Sequence, residues 1–252
     1  MNKIIKKIKT KETNTELLAT FVHELKTPVT SIKEAISLLV DACQDKIDKK
    51  RHRILLIAQD EINRLARMID NFLKFASIEA GKVRLLLEPI KIHEVLNEVI
   101  ESQTILLQKK KMRVKKIYTV KDITLLADRD RIFEAIANLI DNALKFTPEN
   151  NTVTIQTKTL KPHASLKRNY HINPKFNYLM FTISDTGPGI PKKDLDRVFI
   201  KFERLRTPNK TRGIGLGLTI AKDIIELHQG KIWATSEMGK GASFHFVIPI
   251  KT

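Results

Sequence analysis

From Leu18 onward the apolar residues of the chain advance in steps of four and three, through Val22, Leu25, Val29, Ile32, Ile36, Leu39 and Cys43. An average spacing of about 3.5 keeps them in one stripe on one side of a helix. A second stripe, Leu55, Ala58, Ile62, Leu65, Ile69, Phe72 and Ala76, follows the same rule, and the polar stretch Gln44 to Lys50 separates the two. The pattern predicts a helical hairpin. Two helices cannot cover both stripes by themselves, so the hairpin is expected to double across a two-fold axis into an antiparallel four-helix bundle, which makes the chain a homodimer. Pro28 interrupts the first helix. It cannot donate to the carbonyl of Glu24 and its ring crowds that turn, at roughly 3 kcal/mol, so the helix is expected to bend or loosen beside His23.

Past Gly81, read as the glycine that ends the second helix, the period changes. Strands are predicted near Val83 to Leu87, Arg113 to Tyr118, Ile123 to Ala127, Val153 to Thr159, Tyr178 to Ser184, Lys231 to Ser236 and Ser243 to Pro249. Helices are predicted from about Ile92 to Lys109, from Asp128 or Asp130 as cap to Phe146, over a short run Lys193 to Phe199, and from Leu216 to His228. Strands joined directly are expected to form antiparallel hairpins, so the order predicts a two-layer α/β sandwich rather than a doubly wound sheet. The basic connection Lys161 to Asn177 is long for a hairpin and is expected to be disordered. Residues 1–80 and 81–252 are therefore read as two domains.

Composition adds bounds to this. With 252 residues, 42% of them hydrophobic, the chain can bury two cores and is no disordered tail. Its single cysteine, Cys43, falls on a face expected to be buried, which argues against a disulfide framework and for a reducing compartment. No apolar run approaches the roughly 20 residues that span a bilayer, and the apolar part of the start is too short for a signal peptide. The chain is read as soluble and cytoplasmic. A net charge of +17 raises nucleic acid as a partner. No helix-turn-helix, zinc-finger or aromatic RNA-binding pattern accompanies it, so the lysines are read as solvated and no direct nucleic-acid contact is expected.

Three short segments after residue 130 carry polar groups in suggestive places. Asn138, Asn142 and Lys145 lie three or four residues apart on one helix flank. Asp185-Thr-Gly187-Pro-Gly189 follows an apolar strand, and its two glycines let the backbone turn and approach a ligand closely. Gly213-Ile-Gly215-Leu-Gly217-Leu218 opens a helix whose free N–H groups favour phosphate. It lacks the Gly-x-Gly-x-x-Gly spacing of dinucleotide-binding folds, and no P-loop occurs anywhere. In the first helix, Phe21-Val-His23-Glu24-Leu-Lys-Thr27-Pro28 begins like a zinc-protease His-Glu-x-x-His, but Thr27 occupies the second histidine's place.

In this order and spacing the four segments resemble the sensor histidine kinases of two-component signalling. The resemblance covers about residues 14 to 250 and includes the closing stretch His228 to Phe244. It implies a dimerisation and phosphotransfer hairpin followed by an ATP-binding sandwich of the gyrase, Hsp90 and MutL type. ATP and Mg²⁺ are the implied cofactors, with Asn142 as chief metal ligand beside Asn138, Lys145 on phosphate, and Asp185 receiving the adenine amino group. Gly187, Gly189, Gly213, Gly215, Gly217 and Leu218 belong to the nucleotide-binding segments. Arg204 belongs to a basic lid over Ile200 to Arg212. His23 is the implied phosphoacceptor, Glu24 its base or hydrogen-bond acceptor, and Thr27 the residue that places water when the regulator is dephosphorylated.

Where the related ATPases carry a glutamate that activates water, this chain has Asn138, and an amide cannot take a proton. ATP is then expected to keep its γ-phosphate until His23 arrives. The implied partner is a response-regulator receiver domain, whose acidic pocket the basic surface would steer. Members are commonly anchored through segments ahead of the histidine helix, so a membrane enters only if the native protein has such segments. Val22 replaces the usual serine and Ile214 a frequent threonine or serine. Neither removes a catalytic group. The rival functions are an ATP-driven clamp, opposed by Asn138, and a non-enzymatic scaffold or nucleic-acid binder resting on charge alone.

Overall fold

The computed structural model describes residues 25–40, 48–81, 83–119, 123–163, 172–203 and 215–250. The chain divides into two compact units, Met1–Val83 and Arg84–Thr252. In the first, residues 25–40 are helical (α1), Pro28 included, and Lys49–Glu79 form α2. Asp48 caps α2 by accepting from the Lys50 and Arg51 amides, both at 2.9 Å, as a short carboxylate at an N-cap does. The expected polar connection thus ends at Asp48 rather than Lys50. At the other end Gly81 takes φ +64° just beyond Ala80, the left-handed turn that favours glycine.

The helices run antiparallel, with Lys26 of α1 paired to Asp70 of α2 at 2.6 Å. Val29, Ile62 and Ile69 form their buried centre, flanked by Ile36, Ala66, Phe72 and Leu73. Other members of the stripes stay uncovered within the single chain: Leu25 is 39% exposed, Leu65 42%, Ile32 49% and Leu39 51%. Cys43 lies outside the described residues, as do His23 and Glu24.

The second unit is a sheet with helices on one face. Its elements are β1 (Glu88–Lys91), α3 (Ile92–Ser102), α4 (Thr104–Lys109), β2 (Arg113–Tyr118), β3 (Thr124–Ala127), α5 (Arg129–Phe146), β4 (Thr152–Leu160), β5 (Tyr178–Ser184), α6 (Gly217–Leu227), β6 (Lys231–Glu237) and β7 (Gly241–Pro249). The main sheet has the order β2-β4-β5-β7-β6. The pairs β4–β5 and β6–β7 are antiparallel, as their direct connections predict. One face carries Ile155, Phe181, Ile183, Phe244 and Phe246, all buried with Ile92 and Leu96 of α3, Ile136, Leu139 and Ile140 of α5 and Ile220 and Ile224 of α6. Phe181 and Phe246, opposite in register, stack at 4.2 Å.

Several expectations are corrected. The strand near Val83 to Leu87 is absent; the ladder lies four residues on, where Ile90 rather than Leu86 or Leu87 is buried, and pairs β1 with β3 in a separate two-stranded sheet. Consequently β2 and β3 do not form a hairpin, and β2 instead pairs in parallel with β4, which requires the crossover that α5 provides. The helix Ile92 to Lys109 breaks at Gln103, where the Ser102 hydroxyl donates to the Val99 carbonyl at 2.7 Å. Such back-bonding competes with continued helix. Lys193 to Phe199 becomes two 3-10 turns, Lys192–Asp194 and Arg197–Phe199. Within Lys161 to Asn177, Ile172 is buried against Tyr178, Met180 and Val247, so part of that connection is packed.

On the outer face of the sheet His245 bonds to Thr182 and Thr235, at 3.0 and 2.8 Å, and stacks on Trp233. Burial and the nearby Lys158 lower its pKa to about 4. It is therefore neutral at physiological pH and reads as a structural group.

Candidate functional site

Three structural decisions bring the polar segments of the second unit together. Asp128 caps α5 by accepting from the Arg131 amide at 3.1 Å and holds the Leu86 amide with its other oxygen at 2.9 Å. Its own N–H donates to the buried His228 Nε2 at 3.0 Å, while His228 Nδ1 faces the Ile224 carbonyl at 2.8 Å. That geometry assigns the Nδ1–H tautomer. It ties the start of α5 to the end of α6, so the two helices pack side by side.

The second decision concerns the faces those helices turn to each other. On α5 the buried set Ile132, Ala135, Ile136, Leu139, Ile140, Ala143 and Leu144 faces the core, leaving Asn138, Asn142 and Lys145 half-buried along the margin. Gly217, the first residue of α6, fits against this margin closely: a methyl group there would lie 3.2 Å from Asn138 Oδ1. Leu216, at the N-cap position, supplies no side-chain acceptor. The first N–H groups of α6 therefore open beside an amide oxygen, with the partial positive charge of a helix N-terminus. Thr219 fixes the helix from the other side, donating to the Phe199 carbonyl at 3.2 Å. Lys145 places its ammonium 5.5 Å from the centre of the Phe146 ring.

The third decision is the end of β5. Asp185 is 7% exposed, and its Oδ1 accepts from the Gly187 and Ala242 amides at 2.8 and 3.2 Å. Burial raises its pKa from the ordinary aspartate value, and the two amides oppose that shift. A methyl on Gly187 would come within 2.8 Å of the Phe146 carbonyl, so this loop presses on the end of α5. Gly189 has φ +80° and lies so near the Glu237 carbonyl that a side chain would not fit. The same left-handed φ sets Gly215 against the Glu203 backbone. Leu218 is half-buried on α6.

The structure thus joins Asn138 to Gly217 and Gly187 to the end of α5. Thr27, exposed on α1, belongs to the first unit. His23, Glu24, Arg204 and Gly213, with most of the expected lid, lie outside the described residues. Sequence reading passed over Lys110. Its ammonium donates to the Leu144 and Thr147 carbonyls at 2.6 and 3.2 Å. In a run of three lysines nothing marks the middle one.

Comparison with known proteins adds two family matches. Residues 13–81 match the His Kinase A (phospho-acceptor) domain. Residues 127–252 match the histidine kinase-, DNA gyrase B-, and HSP90-like ATPase family. The adaptive-response sensory kinase SasA of Synechococcus sp. (strain JA-3-3Ab) is 30% identical over 235 residues, which is 93% of this chain and 59% of that protein. Sensor histidine kinase WalK of Bacillus subtilis (strain 168) is 31% identical over 94% of this chain and 36% of its own length. The chain thus spans three fifths or less of these relatives. Full-length ShkA, crystallised in complex with AMPPNP, superposes with a TM-score of 0.75 at 26% identity, over 94% of this chain and 46% of that one. With both domains matched in this order, the chain belongs to the sensor histidine kinase family.

Proposed function

We propose that the chain is the kinase core of a two-component sensor, which binds Mg²⁺·ATP in its α/β unit, transfers the γ-phosphoryl group to His23, and passes it to an aspartate of a response-regulator receiver domain. The observation that carries this reading is the contact of Asn138 with Gly217. It makes α5 a shared wall, with the amide flank and the uncapped start of α6 at one place and the Asp185 loop pressed on its C-terminal end. Residues 1–80 then serve as the dimerisation and phosphotransfer domain and 81–252 as the catalytic domain. The division of the chain after Val83, the two family matches and the AMPPNP bound to ShkA support that assignment.

Each residue has a definite task in this reading. Asp185 Oδ2 accepts from the adenine amino group, while Gly187 and Gly189 keep the loop free of side chains where the base enters. Lys145 and the N–H groups of α6 meet the phosphates, with Gly213, Gly215 and Leu218 shaping the approach and Arg204 closing from the lid. The Asn138 and Asn142 amides fit Mg²⁺, which takes few protein oxygens and leaves the rest to water and phosphate; when bound it would stabilise charge on the phosphate oxygens. A neutral ring nitrogen of His23 attacks the γ-phosphorus, the bond to the bridging oxygen breaks, and ADP leaves. Glu24 takes or holds the proton on the other ring nitrogen. Catalysis is then mainly positioning and charge stabilisation. Asn138 offers no base for water, which disfavours simple hydrolysis.

Incubation with γ-labelled ATP and Mg²⁺ tests the function directly. Label is expected on the protein, lost in acid and retained in alkali, since a phosphoramidate breaks once its nitrogen is protonated. Absence of protein-bound label would favour the scaffold reading. Thr27→Ala is expected to leave this labelling within about threefold of wild type while slowing loss of phosphate from the regulator by about tenfold or more, the hydroxyl placing water rather than receiving phosphate. Equal damage to both activities would place Thr27 in the kinase step.

Dimerisation is read from the uncovered stripe. The full chain is expected to sediment at twice its monomer mass, and Ile32→Glu with Leu65→Glu to shift it to monomer, because a buried unpaired carboxylate costs several kcal/mol. A wild-type monomer at micromolar concentration would refute the four-helix bundle.

A further inference from the structure

The last turn of α5 leaves carbonyls that no helical N–H can reach. Those of Ala143, Leu144 and Lys145 are met from outside the helix ladder or by its cap. Ala143 O accepts from both the amide and the hydroxyl of Thr147, at 2.9 and 2.7 Å. Leu144 O accepts from Lys110 Nζ at 2.6 Å and Lys145 O from the same ammonium at 3.5 Å. Phe146 O faces Gly187. Lys110 also holds Thr147 O at 3.2 Å, and its own carbonyl accepts from the Asn150 amide at 3.0 Å.

One residue therefore grips both the helix end and the turn that follows it. Asn151, next in that turn, accepts from the Thr186 hydroxyl at 3.2 Å, and Thr186 lies between Asp185 and Gly187. Lys109 and Lys111 on either side are exposed, whereas Lys110 is half-buried. A cation at the negative end of a helix is the favourable sign, and ammonium-to-carbonyl bonds are stronger than neutral ones.

We propose that Lys110 is a positioning residue for the nucleotide site, an inference that rests on the reading of that site given above. It fixes the turn of α5 that carries Asn142 and Lys145, and through residues 147–151 it fixes the strand-end loop that carries Asp185. Without the ammonium the Leu144 and Lys145 carbonyls must seek water. The last turn then frays, and the phosphate and adenine halves of the site lose their common reference. Lys110 touches neither nucleotide nor metal in this scheme, so its effect falls on affinity.

The test uses the full chain and Mg²⁺·ATP, by calorimetry well below the unfolding temperature. Lys110→Met is expected to raise Kd about tenfold, the loss of one charged hydrogen-bond group at a helix end. Ile248→Ala is the control for stability: it truncates a buried side chain on β7, six residues along the strand from Ala242. It is expected to lower the unfolding temperature at least as much while leaving Kd within about twofold. Amide exchange without nucleotide should quicken at Thr147 and Asn150 in Lys110→Met and stay unchanged in α6. A Lys110→Met chain that binds within about twofold of wild type, or an Ile248→Ala chain weakened equally, would overturn the role of Lys110 alone. A wild-type chain with no affinity for Mg²⁺·ATP would overturn the site reading and Lys110 with it.

Discussion

In the His23→Gln chain, γ-labelled ATP is expected to leave no acid-labile phosphate on the protein, a loss of about a thousandfold or more. Glutamine keeps roughly the length and polarity of histidine but has no nitrogen lone pair free to attack phosphorus. With the nucleophile removed, positioning of ATP has nothing to act upon. Binding should be untouched, since His23 belongs to the helical unit and Asp185, Asn138 and Gly217 to the other. Calorimetry on the same preparation should therefore return the wild-type Kd for Mg²⁺·ATP. If His23→Gln still takes up label at a comparable rate, another side chain is the acceptor.

Asp185→Asn is expected to weaken Mg²⁺·ATP binding by about 100-fold without unfolding the chain. The Gly187 and Ala242 amides both end on Oδ1, and an asparagine oxygen can accept them equally well. Its amide nitrogen then stands where Oδ2 stood, so a donor faces the donor amino group of adenine. A buried donor left unmatched costs about 1–3 kcal/mol beyond the lost charged bond. Stability should move the other way. Burial raises the folded-state pKa of Asp185, so whatever the protonated form contributes is fully present below the unfolded pKa and is lost as pH rises through the folded value. At neutral pH the ionised group is the less favourable one to bury, and asparagine should match or exceed the wild-type unfolding temperature. That advantage should disappear on acidification through the folded pKa. An Asp185→Asn chain with wild-type affinity would remove Asp185 from the adenine site; one that is unfolded at neutral pH would show that its carboxylate serves the fold first.

Much of this molecule is local and therefore legible. The 3.5-residue stripes settle α1 and α2, because a helix carries its period wherever it packs. Gly81 marks the C-terminal end of α2 by chemistry that acts over one turn, whereas the Asp48 cap at its start sits inside the stretch expected as connection. Alternating apolar runs place β4, β5, β6 and β7, and direct connections make β4–β5 and β6–β7 antiparallel. Asp185, Asn138, Asn142 and the glycines at 215 and 217 became candidates in the same way, since residue type and order carry the family resemblance.

What the chain order left open was decided by partners far away in sequence. Nothing near Glu88 says that its ladder partner is Ala127, and nothing near Arg113 says that it runs parallel to Thr152. The second pairing depends on where α5 crosses between β2 and β4. The approach of Gly217 to Asn138 spans about eighty residues of chain, and Lys110 reaches carbonyls more than thirty residues on. The order of residues determined the types of group available and the period of each element, because those depend on neighbours within a turn or a strand. Only the packed structure decided which groups meet, because hydrogen bonds and close contacts require a separation of a few ångströms that no local pattern encodes.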